Sequence, residues 1–260
     1  MSRLSEAFAK RKTLITFITA GDPSLSVTER LINDLEKSGA DIVELGIPFS
    51  DPLADGPIIQ ASHQRALKKG VSLSDVFKLV SKMRKKTRIP VCFMLSYNLI
   101  LQHGEDKFYA DCEKCGVDGV IVPDLPPEEM TVDSRQSTVD RICLIAPTST
   151  EDRIKLAAEK SSGFIYLISV AGITGVREGI SGLPAGQAGN IRELLGKIRR
   201  YSKLPIAVGF GISTPAQAAE YARIADGVIV GSAIVDLVAK NKLKSIPKLV
   251  ASLRKAINAS

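Results

Sequence analysis

EDRIKLAAEKSSGFIYLIS, residues 151 to 169, is an amphipathic stretch that runs straight into a short apolar run. The first part reads as a surface helix. FIYLIS (164 to 169) reads as a strand covered on both faces, because it is nearly continuous in apolar residues. Seven more runs of the second kind punctuate the chain: LITFITA (14 to 20), DIVELG (41 to 46), IPVCFML (89 to 95), GVIVP (119 to 123), RICLIA (141 to 146), PIAVGF (205 to 210) and GVIVG (227 to 231). Between them lie amphipathic segments such as VTERLINDLEKSG, SLSDVFKLVSKMRKK and NIRELLGKIRRYS. Apolar strands separated by helices imply a parallel sheet sheathed by helices, and eight such units in 260 residues favour closure into a (β/α)8 TIM barrel over an open sheet. No break in composition marks a boundary. The expectation is a single domain spanning 1 to 260, with an N-terminal helix at about 2 to 11.

Bulk properties narrow the function. With 45% hydrophobic and 24% charged residues the chain is an ordinary globular one. No apolar run reaches the roughly 18 residues of a membrane span, and the polar start lacks a signal-peptide core, so a cytoplasmic protein is expected. The net charge of +7 raises nucleic acid as a partner. However, the basic pairs Lys68-Lys69, Lys85-Lys86 and Arg199-Arg200 each close a helical stretch, where cations complement the helix dipole. Aromatic interleaving is absent, so a solvated rim is the better reading. Cys112 and Cys115 form a C-x-x-C without a second pair. DKFYADCEKCGVDG reads as the end of a helix entering a strand rather than as a metal or redox site.

Two connections are long, 47 to 60 after the second strand and 170 to 189 after the sixth. Both follow strands and so belong to the catalytic face of a barrel. The second is rich in Gly and Ala and reads as a mobile lid. Gly209-Phe210-Gly211 follows the seventh strand, and Gly231-Ser232-Ala233 opens a helix after the eighth. Barrels often bind phosphate there, on backbone N–H groups that small residues leave accessible. Gly175 sits on the lid above them. Among the acids, Glu44 interrupts an apolar strand at a position that alternation with Ile42 turns into the barrel. A buried acid must be paired, neutral or used. Asp51 and Asp55 follow in PFSDPLADGP, where Pro48, Pro52 and Pro57 restrict the backbone. No nucleophilic triad, His-rich metal cluster or Walker loop is present.

VELGIPFSDPLADGPIIQ (43 to 60) resembles the signature of the tryptophan synthase alpha subunit family. FITAGDP (17 to 23), GVDGVIVPDLP (116 to 126), VAGITG (170 to 175) and GFGIST (209 to 214) extend the resemblance over essentially the whole chain. It implies that Glu44 and Asp55 are the catalytic acids and that Tyr166 lines the site with them. By the same resemblance Thr174 hydrogen-bonds the catalytic aspartate from the lid. Gly175, Gly211, Gly231 and Ser232 cradle phosphate, and Phe17 and Phe210 flank the indole pocket. The implied reaction is reversible cleavage of indole-3-glycerol phosphate into indole and glyceraldehyde 3-phosphate, in tryptophan biosynthesis, with no metal or cofactor on this chain. The implied partner is a pyridoxal-phosphate beta subunit in an α2β2 assembly, met through a rim that includes Asp51 and Pro52.

There are departures from the family pattern. Ser96 stands where members often carry an aromatic, Val170 where some carry Arg, and the stretch from Asp124 to Pro147 is a few residues short. Two alternatives follow: a related phosphate-binding barrel, which would bring a catalytic lysine at a strand end that none of these strands contains, and a non-catalytic or weakly catalytic allosteric activator of the beta subunit.

Overall fold

The computed structural model describes residues 2–52, 54–130, 137–168, 185–209 and 211–260, with the side chains of 185–190 excepted. Among the described residues nine strands, β1 (Thr13–Thr19), β2 (Ile42–Gly46), β3 (Val91–Met94), β4 (Gly119–Ile121), β5 (Asp140–Ile142), β6 (Leu144–Ile145), β7 (Ile165–Ile168), β8 (Ile206–Gly209) and β9 (Gly227–Val230), form one sheet. Every pairing is parallel. The order is β5-β4-β3-β2-β1-β9-β8-β7-β6. Only Cys143 separates β5 from β6, so the two ends of this order are halves of one strand and the sheet curls into an eight-position barrel. RICLIA is thus the expected fifth strand, interrupted once. The reason is local: the Cys143 N–H donates to Ser161 Oγ at 3.3 Å rather than to a neighbouring strand.

Alternation along the strands sorts side chains into two cores. Ile15, Phe17, Ile42, Cys92, Met94, Ile121, Ile142, Tyr166, Ala207 and Ile229 fill the barrel. Their neighbours Leu14, Ile18, Val43, Leu45, Val91, Phe93 and Val208 point outward, against Leu31, Leu35, Val76, Val80, Phe108, Ile198 and Leu253 of the helices. Each fully buried aliphatic or Phe side chain contributes about 1.5–3 kcal/mol, and a surface ion pair about 0–1. The outer core therefore holds the barrel together.

The helices are α1 (Arg3–Lys10), α2 (Leu25–Lys37), α3 (Pro57–Leu67), α4 (Leu73–Met83), α5 (Tyr97–His103), α6 (Glu105–Cys115), α7 (Glu151–Lys160), α8 (Ala185–Tyr201), α9 (Pro215–Ala222), α10 (Ser232–Ala239) and α11 (Ile246–Asn258). α1 is the expected N-terminal helix, capped by Ser2. Leu4 and Phe8 close the amino-terminal mouth of the barrel, over Gly119 and Gly227 at the starts of β4 and β9. α6 ends at Gly116 in the left-handed conformation, with Cys112 and Cys115 buried, just ahead of β4.

Two boundaries differ from expectation. α3 begins at Pro57, inside the interval assigned to the loop, because Pro's fixed φ suits the first helical position. α8 begins at Ala185, inside the interval assigned to the lid. Residues 169–184, with Val170, Thr174 and Gly175, lie outside the described residues, as does Phe210.

Candidate active site

Strand alternation puts Glu44 inside the barrel, level with Phe17 of β1 and Cys92 of β3. It is 1% exposed, and its Oε2 has no hydrogen-bond partner among the described residues. An ionised carboxylate there would lose its hydration without replacement. Burial first, and the nearby Asp55 carboxylate second, push its pKa up to about 8. Near neutrality Glu44 carries a proton.

Asp55 sits at the lip of the cavity, its side chain 13% exposed. Burial lifts its pKa less far, to about 6. The prolines alone do not hold its loop. Three side chains of α3 do: Gln60 Nε2 donates to the Asp55 carbonyl at 2.8 Å, Gln64 Nε2 to the Ser50 carbonyl at 3.2 Å, and the Phe49 N–H donates to His63 Nδ1 at 3.1 Å. α3 is anchored in turn. Ser62 Oγ and Thr19 Oγ1 lie 2.5 Å apart, and Arg65 forks onto Asp22 at 2.9 and 2.7 Å.

Tyr166 faces inward from β7, 4% exposed. Burial, with Glu44 and Asp55 adding, raises its pKa well above the ordinary phenol value, so it is a neutral hydroxyl. Two glycines make room for the aromatic rings. A Cβ at Gly209 would come 2.4 Å from Tyr166 Oη, and one at Gly46 would come 2.5 Å from Phe17 Cζ.

Across the cavity, Gly211 adopts φ 75°, a region that glycine reaches without strain. Gly231 caps α10, whose first N–H groups have no partner within the helix. Phe17, Glu44, Asp55, Tyr166, Gly211, Gly231 and Ser232 line one cleft, together with Gly56, Ile59, Met94, Ile212 and Ile229. These include every described residue expected to bind or transform the substrate. The last five were not anticipated. Inward alternation on β3 and β9 would have found Met94 and Ile229; nothing in the sequence alone marks His63 beyond its place on the inward stripe of α3.

A neighbouring cleft is lined by Phe49, Asp51, Pro52, Asp55, His63, Ser96 and Asp124. Asp51 is exposed and Pro52 half-buried there. Ser96, the residue that departs from the expected aromatic, donates its hydroxyl to Asp124 Oδ2 at 2.5 Å, and Asp124 Oδ1 accepts the Tyr97 N–H that opens α5. The expected rim residues Asp51 and Pro52 thus share one face with Asp124.

Between pH 6 and 8 the two carboxyl groups hold opposite protonation states, one proton donor and one anion. Set at the carboxyl ends of parallel barrel strands, where barrel enzymes hold their active sites, such a pairing suits acid–base chemistry.

Comparison with known proteins makes the assignment definite. The tryptophan synthase alpha chain family profile matches residues 4–258. The alpha chain of Geotalea daltonii is 49% identical over 243 residues, covering 90% of this chain and 89% of its own. That of Geobacter sulfurreducens is 46% identical over 269 residues, covering 99% of both. The crystal structure of the alpha subunit from Legionella pneumophila superposes with a TM-score of 0.88 at 36% identity, covering 100% of each chain. A Mycobacterium tuberculosis tryptophan synthase structure gives 0.89 at 34% identity, covering 98% of each. The chain belongs to the tryptophan synthase alpha chain family, lyases of tryptophan biosynthesis that cleave indole-3-glycerol phosphate and have a beta subunit as partner.

Proposed function

We propose that Glu44, Asp55 and Tyr166 carry the cleavage of indole-3-glycerol phosphate in this chain. Protonated Glu44 gives its proton to C3 of the indole ring, which leaves the ring nitrogen cationic, and the Asp55 carboxylate stabilises that charge. The Glu44 carboxylate so formed takes the proton of the glycerol hydroxyl. The C–C bond then breaks, its electrons return to the ring, and indole and glyceraldehyde 3-phosphate leave with Glu44 again protonated. Tyr166 lines the cavity as a neutral hydroxyl beside both acids. The observation that carries this reading is the convergence of Glu44, Asp55 and Tyr166 on one cleft, where burial raises the pKa of Glu44 further than that of Asp55. Phe17 and Phe210 flank the indole ring. Gly211, Gly231 and Ser232, with Gly175, hold the phosphate through backbone N–H groups and the Ser232 hydroxyl, and Thr174 pairs with Asp55.

The same proposal takes the chain as one barrel domain that needs no cofactor of its own. It acts in the cytoplasm within an α2β2 assembly whose beta subunit carries pyridoxal phosphate, and Asp51 and Pro52 are part of the contact. Among the described residues no helix is long and apolar enough to cross a membrane. Indole release from indole-3-glycerol phosphate, measured with and without a beta subunit, is the test. Release by the chain alone, accelerated by the beta subunit, is expected. No release in either case, with the beta subunit's own rate still raised, would leave only an activator.

A further inference from the structure

His63 lies on α3 with its side chain 5% exposed. Its Nδ1 accepts the Phe49 N–H at 3.1 Å. A ring nitrogen that accepts an N–H carries no proton itself, so the neutral ring bears its hydrogen on Nε2. Nε2 faces Asp55 Oδ2 at 3.6 Å and has no hydrogen-bond partner among the described residues. A buried N–H donor is therefore aimed at the reacting carboxylate from just beyond hydrogen-bonding distance. Bonds of this kind often tighten only when substrate is bound, and here half an ångström or so of loop movement would suffice.

The charged groups facing the ring are Asp55, from the loop before α3, and Asp22, from the loop after β1, itself held by Arg65. Burial outweighs the attraction of Asp22 and lowers the His63 pKa to about 4, so the imidazole is neutral wherever Asp55 is ionised. The anchoring of α3 on Thr19 and Asp22 fixes the ring's position.

We propose that His63 is a positioning residue for Asp55, its neutral Nε2–H fixing one carboxylate oxygen so that the other meets the indole nitrogen. This rests on Asp55 being the catalytic carboxylate. Asparagine and glutamine separate the two ends of the imidazole. In His63→Asn the side-chain oxygen can still accept from Phe49, but no donor reaches Asp55. In His63→Gln a donor can reach the Nε2 position.

The expected result is that His63→Asn lowers kcat about tenfold with little change in KM, as loss of orientation does. Without the donor, the ionised form of Asp55 is less favoured, so the acid limb of kcat/KM should move to higher pH. His63→Gln should recover part of both effects. In ¹⁵N NMR of histidine-labelled protein, His63 should be the Nε2–H tautomer between the Asp55 and Glu44 pKa values. An Nδ1–H tautomer, an unmoved acid limb in His63→Asn, or equal losses in both variants would each overturn the proposal. Asp55→Asn separates the two readings. If it keeps wild-type turnover, the role of Asp55 fails; if it is inactive while His63→Asn is unimpaired, only the role of His63 fails.

Discussion

An acid in a barrel interior otherwise filled by residues such as Ile15, Ile42, Met94 and Ile229 leaves a thermodynamic trace. Glu44 has a folded pKa of about 8 against an ordinary 4.5. Below 4.5 the group is protonated whether the chain is folded or not, and its contribution to stability is complete. As pH rises toward 8 the unfolded chain releases the proton while the folded one keeps it, so stability falls by about 1.4 kcal/mol per pH unit from this group. Glu44→Gln removes that slope. Urea unfolding of both proteins at two pH values in this window should show the variant gaining on the wild type as pH rises; a constant difference would mean the carboxyl is solvated. The same substitution should reduce indole release by 100-fold or more, because the amide cannot exchange a proton, consistent with the roughly 10²–10⁴-fold that general acid–base catalysis supplies. In the wild type, kcat/KM should rise through about pH 6 and fall through about pH 8, as Asp55 ionises and Glu44 loses its proton. A profile flat across this range would contradict the assignment. Glu44 was legible in the sequence because period-2 alternation fixes which way a strand residue faces. The relation of His63 to Asp55 was not, since it depends on a turn of loop that no periodicity encodes.

Strands and helices were readable wherever burial imposes a pattern, and less so where side chains compete with the ladder. All eight strand runs appear. The fifth is split because the Ser161 side chain takes the N–H group of Cys143. α3 was read as loop as far as Gln60, yet it is the element that holds Asp55. Its proline signal pointed to rigidity but not to a helix start. The strand ends carry a further constraint, since Gly209 and Gly46 are small because Tyr166 and Phe17 lie over them. Gly209→Ala should push the Tyr166 ring out of place, lowering turnover at least tenfold by misplacing groups beside both acids. Its secondary structure, read by far-UV circular dichroism, should stay unchanged, because the glycine's φ is not in the left-handed region. Full activity in Gly209→Ala would show that Tyr166 can move without cost. At Gly211 the reverse holds. Nothing lies within 4 Å of a Cβ there, but φ 75° strains any L side chain, so a bulky residue at that position would test backbone strain as much as phosphate affinity.

For the molecule as a whole, closure depends on one seam. β1 pairs with β2 on one side and with β9 on the other, so the start of the chain meets its end. Arg254 of α11 is 7% exposed at that seam, donating to the Gly39 carbonyl at 3.1 Å and the Lys12 carbonyl at 2.8 Å and pairing with Asp41. Asp41 in turn accepts the Leu14 N–H of β1 at 2.8 Å and binds Arg11. Arg254→Met should cost about 3–5 kcal/mol in unfolding free energy, because it takes the buried partner from a largely buried carboxylate and leaves it only the half-exposed Arg11 as a counter-ion. A loss below 1 kcal/mol would mean that Arg11 alone suffices. The seam also bears on how the native protein opens. Amide hydrogen exchange reports local openings whose free energies differ from element to element. With residues 12, 39 and 41 all held by a guanidinium from the last helix, the amides at the start of β1 are protected by a contact spanning nearly the whole sequence. They should exchange in step with detachment of α11 rather than with any event near the substrate cavity. The end of the barrel that does chemistry can then rearrange around ligands while the opposite end stays shut.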